Sequence, residues 1–259
     1  MDYILPETNL IQIKTMEKLG NTGLFVIEPL SSGYGVTVGN SLRRVLLSSL
    51  EGAAITAVKL EGVTHEFSTI PAVREDMVEI ILNLKALRLR MITDEPAILK
   101  LAVRGPKEVR SADFEANAAC EIVNKDAYIA TIGKTGKLNI EVVVEKGRGY
   151  VPVERRRDEK LPLGTIAVDS IFTPVKKVHY EVENTRVGGQ TDFDKLTIEI
   201  TTDGSVEPEI ALRTAAGILV EHFGLVQKAF EEPAKVLKKE TKAAKTPAKK
   251  TVKKKAKKK

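Results

Sequence analysis

The residues best placed to do chemistry crowd into one stretch, Gly33-Tyr-Gly-Val-Thr-Val-Gly-Asn-Ser-Leu-Arg-Arg-Val-Leu-Leu-Ser-Ser-Leu-Glu-Gly52. Three glycines leading into a helical pattern suggest a phosphate cradle, because a helix N-terminus offers free N–H groups to an anion. Gly33, Gly35 and Gly39 are spaced G-x-G-x-x-x-G, one residue off the dinucleotide fingerprint, and no Lys-Ser/Thr pair follows as a P-loop requires. The competing reading is a tight turn packed against its own helix. Ser48 and Ser49 fall inside the helical pattern instead of on a strand–turn–helix elbow, which leaves nucleophilic catalysis unsupported. His65, His179 and His222 are scattered, and none has a His or Cys three or four residues away as a metal site of that type requires. Cys120 is the only cysteine, so neither a disulfide framework nor a multi-cysteine zinc site is possible within the chain; with no base beside it, it reads as a small core residue. Carboxylates are plentiful but read as dispersed. The stretch therefore predicts no catalytic residue, no metal and no cofactor. What remains is a pair of adjacent arginines, Arg43 and Arg44, whose chemistry is recognition.

A helix must carry that pair. Leu42, Val45, Leu46 and Leu50 recur at three- and four-residue spacing, Asn40 or Ser41 can cap the start, and Gly52 fits a left-handed stop. Neighbouring residues sit about 100° apart around a helix, so the two arginines cannot both lie on the apolar stripe. Strands are expected at 9–15, 23–30 and 54–63, then a helix over 75–85 with Met77, Val78, Ile81 and Leu84 on one side and Pro71 ahead of its start. From 86 to 175 the pattern alternates, as in Leu138, Ile140, Val142 and Val144, which predicts sheets with one wet face. The charged run Glu154-Arg-Arg-Arg-Asp-Glu-Lys160 reads as a solvated loop. Strands at 175–183 and 194–202 precede a long helix opened by Pro208 and running to about Phe230. Its apolar residues, from Ile210 and Leu212 to Val226 and Phe230, spread wider than the stripe of a surface helix. Such a helix needs cover on more than one side, and a second copy of the same surface supplies it most simply.

Charge is unevenly placed. Of 41 Lys and Arg and 35 Asp and Glu, residues 233–259 hold 13 Lys and one Glu, a net of +12. The other 232 residues hold 28 basic and 34 acidic side chains, a net of −6, so the body itself is not a basic nucleic-acid surface. No apolar run reaches the length of a membrane span, no membrane partner is expected, and the first residues do not follow a signal-peptide pattern. The cytoplasm is the expected location.

Six blocks in order now carry a family resemblance. They are Gly35–Ser49, Gly62-Val-Thr-His-Glu-Phe-Ser-Thr69, Glu75-Asp-Met-Val-Glu-Ile-Ile-Leu-Asn-Leu-Lys85, Gly147-Arg-Gly-Tyr-Val-Pro152, Val168-Asp-Ser-Ile-Phe-Thr-Pro-Val175 and Thr191-Asp-Phe-Asp-Lys-Leu196. Across residues 5–230 the chain closely resembles the assembly region of bacterial RNA polymerase alpha subunits. The resemblance implies an α+β, two-lobed fold. A discontinuous dimerisation lobe, 1–51 with 177–232, would carry two interface helices; 52–176 would be an inserted strand-rich lobe. It implies a non-catalytic subunit of a nucleotidyltransferase complex, which forms a homodimer and recruits the beta and beta-prime subunits, with omega and sigma joining the holoenzyme. Tyr34, Val38 and Val45 would line the dimer core against Leu219, Phe223 and Val226 of the other protomer. Arg44, with Leu47 beside it, would contact beta. Lys85 and Val168 would dock beta-prime; by their own chemistry Lys85 is equally a helix-end cation and Val168 a core residue.

The C-terminus departs from the family, whose members carry a helical DNA-binding domain after a linker. Residues 233–259 read instead as a disordered Lys-rich tail, either solubilising or making non-specific, salt-dependent DNA contacts. Two rival classes stay open: a stand-alone nucleic-acid-packaging protein, which leaves the acidic body unexplained, and a nucleotide-using enzyme, which needs the glycine stretch to hold phosphate.

Overall fold

The computed structural model describes residues 12–156, 162–187 and 190–243. In chain order these form β1 (Gln12–Leu19), β2 (Thr22–Leu30), α1 (Tyr34–Ser48), β3 (Glu51–Leu60), α2 (Met77–Lys85), β4 (Leu89–Met91), β5 (Ala97–Arg104), β6 (Lys107–Arg110), β7 (Cys120–Ile122), β8 (Tyr128–Ile132), β9 (Lys137–Arg148), β10 (Tyr150–Val151), β11 (Thr165–Ala167), β12 (Ser170–Ile171), β13 (Val175–Val187), β14 (Gln190–Thr202) and α3 (Pro208–Ala243). Three helices with antiparallel sheets make the α+β class that the sequence leads one to expect.

One four-stranded sheet, ordered β1-β2-β14-β13, joins the first and last strands of the chain. The other, β11-β3-β9-β5, and three two-stranded pairs come from the segment between. The middle sheet follows its alternating sequence closely. Leu138, Ile140, Val142 and Val144 of β9 are buried, with Leu99 facing Val142 and Leu101 facing Ile140 on β5. Over this face lies α2, whose Asp76 caps it by accepting the Glu79 N–H at 2.7 Å. Its buried residues are Met77, Ile80 and Leu84, so the stripe is rotated from the expected one: Val78 is exposed and Ile80 takes the core position. Each such side chain contributes about 1.5–3 kcal/mol through its removal from water. Pro71 plays no part in starting α2, which begins six residues later.

Three further expectations about helices change. α1 begins at Tyr34, not near Asn40, because Gly35 and Gly39 lie inside it as contact positions. Gly52 does not end α1. It belongs to β3, where a Cβ would come 1.8 Å from the Phe172 carbonyl oxygen, so only glycine fits there. At the other end, α3 continues through Ala243, so the stretch 233–243, expected to be unstructured, is helical. Once a helix is nucleated, Ala, Lys, Leu and Glu extend it at little cost. Residues 244–259, and 157–160 of the charged run, lie outside the described residues.

Candidate assembly surfaces

The carboxylate of Asp194, on β14, anchors α1. Its Oδ2 accepts the N–H groups of Gly33 and Gly35, each at 2.9 Å, and the residue is only 6% exposed. The anion position that a glycine-led helix start offers is thus filled by the chain's own side chain. Asp194 shares a D-x-D spacing with Asp192, a pattern the reading of dispersed carboxylates overlooked, but its oxygen is committed to α1. Beyond the anchor, a Cβ on Gly39 would lie 2.7 Å from Tyr180 Cδ2 and 2.9 Å from Leu196 Cδ1. The glycines therefore let α1 sit directly on β13 and β14, and Leu42 and Leu46 complete the buried face.

That seating fixes what α1 presents outward. At about 100° per residue, Tyr34, Val38 and Val45 share one flank, about 90° from the buried face. Tyr34 is 45% exposed; Val38 and Val45 are partly so. Arg44 points away from the buried face, with Arg43 and Leu47 on the opposite flank, all three exposed. Among the described residues, neither arginine makes an ion pair or side-chain hydrogen bond. The residues that the resemblance assigns to two different partners therefore occupy two different sides of one helix.

Along α3, Ala211 and Ala215 are fully buried, and the apolar residues beyond them are not. Phe223 is 65% exposed, Val226 58% and Phe230 78%, and with the half-buried Leu219 they form an i, i+4, i+7, i+11 stripe. Val220 and Leu225 widen it. Single exposed apolar residues need no explanation, but a continuous stripe of this kind marks an interaction surface.

Lys85 ends α2 with its Nζ 4.0 Å from Asp169 Oδ2. Asp169 also accepts the Val153 N–H at 2.9 Å. The Tyr150 hydroxyl has a raised pKa, first through desolvation and then through the charge and hydrogen bond of Asp169. Val168 is 4% exposed and packed in the core. A cleft of about 540 Å³ opens beside it, lined by Lys85, Arg88, Asp169, Lys176 and Asp203. Sequence reasoning missed Asp194, Arg88 and Lys176; each gains its place from a segment remote in the chain.

The remaining reactive groups have local uses. His65 bonds Ser68, and His179 lies 3.1 Å from Glu181. Burial pushes the Cys120 thiol up to about 11, with Glu121 adding to the shift, so it is not a nucleophile near neutral pH. Among the described residues no three His, Cys, Asp or Glu side chains are grouped to hold a metal ion. Nor, among the described residues, is any helix long and apolar enough to cross a membrane.

Comparison with known proteins gives this geometry its context. Residues 58–173 match the RNA polymerase Rpb3/RpoA insert domain. The DNA-directed RNA polymerase subunit alpha of Symbiobacterium thermophilum is 54% identical over 203 residues, 78% of this chain and 64% of that protein. The subunit of the same name from Moorella thermoacetica is 52% identical over 222 residues, 84% of this chain and 71% of its own length. That of Clostridium botulinum is 48% identical over 219 residues, 85% and 70% of the two chains. The chain spans about two thirds of the length of these curated relatives. With identity near one half across most of its residues, the chain belongs to the family of DNA-directed RNA polymerase alpha subunits.

Proposed function

We propose that two copies of this chain pair to form the assembly platform of a DNA-directed RNA polymerase, and that the pair recruits the beta and beta-prime subunits, with omega and sigma completing the holoenzyme. The observation that carries this reading is the apolar stripe of half-buried Leu219 and exposed Phe223, Val226 and Phe230. Covering four such side chains in each copy gives about 12–24 kcal/mol of gross transfer free energy, which leaves a stable dimer after the cost of association. Tyr34, Val38 and Val45 would meet this stripe from the other protomer. Arg44 and Leu47, free on another side of α1, would then engage beta. Lys85 would help to dock beta-prime, while Val168 would only hold Asp169 and its neighbours in place.

In this role the chain contributes no catalytic residue; the nucleotidyl transfer belongs to its partners, and the complex would work in the cytoplasm at the nucleoid. The Lys-rich segment 233–259 would add sequence-independent DNA affinity through phosphate contacts that weaken steeply with salt. Deleting those residues should lower DNA retention at low salt; unchanged retention would remove this part of the reading. The platform itself is tested by titrating the purified chain with the beta subunit during size-resolved light scattering. A dimer that takes up one beta supports it, and a chain that ignores beta contradicts it.

A further inference from the structure

The chain passes twice between its two four-stranded sheets, at 49–50 on the way from α1 to β3 and at 172–174 on the way from β12 to β13. These crossings lie side by side. A Cβ on Gly52 would come 1.8 Å from the Phe172 carbonyl oxygen, and the Thr173 hydroxyl donates to the Leu47 carbonyl at 3.4 Å. Two adjacent crossings keep the sheets together but define a line about which they can turn. The seam beside them is not close-packed. The cleft of about 540 Å³ opens on it. A second hollow of about 100 Å³ is lined by Glu51, Met91 and Lys146 from the middle segment and by Ser205 and Val206 from the turn after β14. Close packing is what makes a protein interior stiff, so a hollowed seam leaves its angle to the contacts that bridge it.

Ser205 lines both hollows, and its carbonyl accepts the Arg90 Nε–H at 2.9 Å across the seam between them. Both ends of this bond are held. Arg90 faces away from the core on β4, between buried Leu89 and half-buried Met91, and its guanidinium lies 3.7 Å from Glu121, its register partner on β7. Ser205 is 7% exposed and gives its N–H and hydroxyl to Asp203 at 2.8 and 2.6 Å. The Asp203 N–H in turn donates to the Pro174 carbonyl at 2.9 Å. A run of hydrogen bonds thus leads from the crossing at Pro174 through Asp203 and Ser205 to β4. We infer that Arg90 is a positioning residue: by holding Ser205 it fixes the angle between the two sheets, and with it the spacing of the surfaces that each sheet carries. This rests on the platform reading above. There α1, seated on β13 and β14, offers Arg44 to beta, and α2, over the middle sheet, offers Lys85 to beta-prime. The angle then sets where one large subunit stands relative to the other. A hydrogen bond from an ionised donor is about twice as strong as a neutral one, which suits it to holding such an angle. A platform fixed beforehand also spares its partners the cost of ordering it.

The test separates the Nε–H donor from the charge. Arg90→Met keeps a stem of similar length and has no donor. Arg90→Gln has no charge but carries an N–H donor on its δ-carbon, where Arg90 carries Nε. Both are made in the full chain with Cys120→Ala and with spin labels at Glu181→Cys and Ala102→Cys, two exposed positions on β13 and β5. Labelled copies are diluted into an excess of unlabelled chain, so that each dimer holds one labelled member. Pulsed electron resonance should give a narrow label-to-label distance with Arg90, a distribution about twice as wide with Arg90→Met, and a narrow one again with Arg90→Gln. Assembled with beta and beta-prime, Arg90→Met should take up beta normally and bind beta-prime about threefold to tenfold more weakly, and Arg90→Gln should recover it. An unchanged width in Arg90→Met, or an Arg90→Gln chain as loose as Arg90→Met, overturns the assignment while the platform stands. A loosened Arg90→Met chain that takes up beta-prime like the unaltered one overturns the positioning role. If the unaltered chain with beta never takes up beta-prime, the platform reading fails and this inference with it.

Discussion

Replacing Asp194 by Ala tests the anchoring of α1 most sharply. The substitution removes the single oxygen that receives two N–H groups at the start of that helix. The two are not equivalent, because Gly33 is exposed and can recruit water whereas Gly35 is buried and cannot. An orphaned buried N–H costs about 1–3 kcal/mol, and loss of a charge at a helix start adds about 0.3–1 kcal/mol. The expected destabilisation is therefore about 1–4 kcal/mol, a substantial share of the 5–15 kcal/mol typical of folded domains. Urea unfolding at fixed protein concentration should show it as a lower midpoint with an unchanged slope. Asp194→Asn keeps a carbonyl oxygen at the same place and should lose about half as much. A loss under about 0.5 kcal/mol for Asp194→Ala would refute the reasoning, because α1 would then be held by its apolar face alone.

Other outcomes follow from the same structure. Arg44→Ala should leave dimer mass and unfolding midpoint unchanged while reducing beta capture about tenfold or more in a titration, since this side chain is exposed and makes no ion pair among the described residues; loss of dimerisation instead would reverse its assignment. Gly52→Ala should destabilise the chain by about 3 kcal/mol or more in thermal unfolding, because its new methyl meets a backbone carbonyl that cannot turn aside. Stability should also fall in acid partly through Glu75. Burial pushes its carboxyl upward, yet the Tyr128 hydroxyl and the Thr131 N–H donate to it and hold it below its ordinary 4.5. A depressed folded value gives stability that is complete above the unfolded pKa and is lost as pH falls through the folded one. The melting temperature of the native chain should therefore drop more steeply below about pH 4.5 than that of Glu75→Gln.

Much of the architecture is legible in the chain because periodicity reports burial. The alternation of Leu138, Ile140, Val142 and Val144 becomes the inner face of β9, and that of Leu196, Ile198 and Ile200 the inner face of β14. Periodicity fails where the deciding neighbour is distant. Gly35 and Gly39 look like a turn until Val182, Tyr180 and Leu196 are seen pressed against them across a helix–sheet contact. Val78 and Ile80 are equally apolar, and only the position of the middle sheet settles which one faces it. Arg88 and Lys176 carry no local signal, since a cleft formed by segments remote in the chain is a tertiary fact. The wide apolar spread on α3 is the reverse case: the sequence demands a cover, and a single chain leaves Phe223, Val226 and Phe230 open.

The mass of the chain in solution addresses that open stripe directly. Light scattering of the unaltered protein should give twice its 28.4 kDa. Phe223→Glu should give the single mass at the same concentration, because losing two buried phenylalanines per dimer costs about 3–6 kcal/mol, or 10² to 10⁴ in affinity. An unaltered chain running at 28.4 kDa, or a Phe223→Glu protein that stays dimeric, would contradict the account.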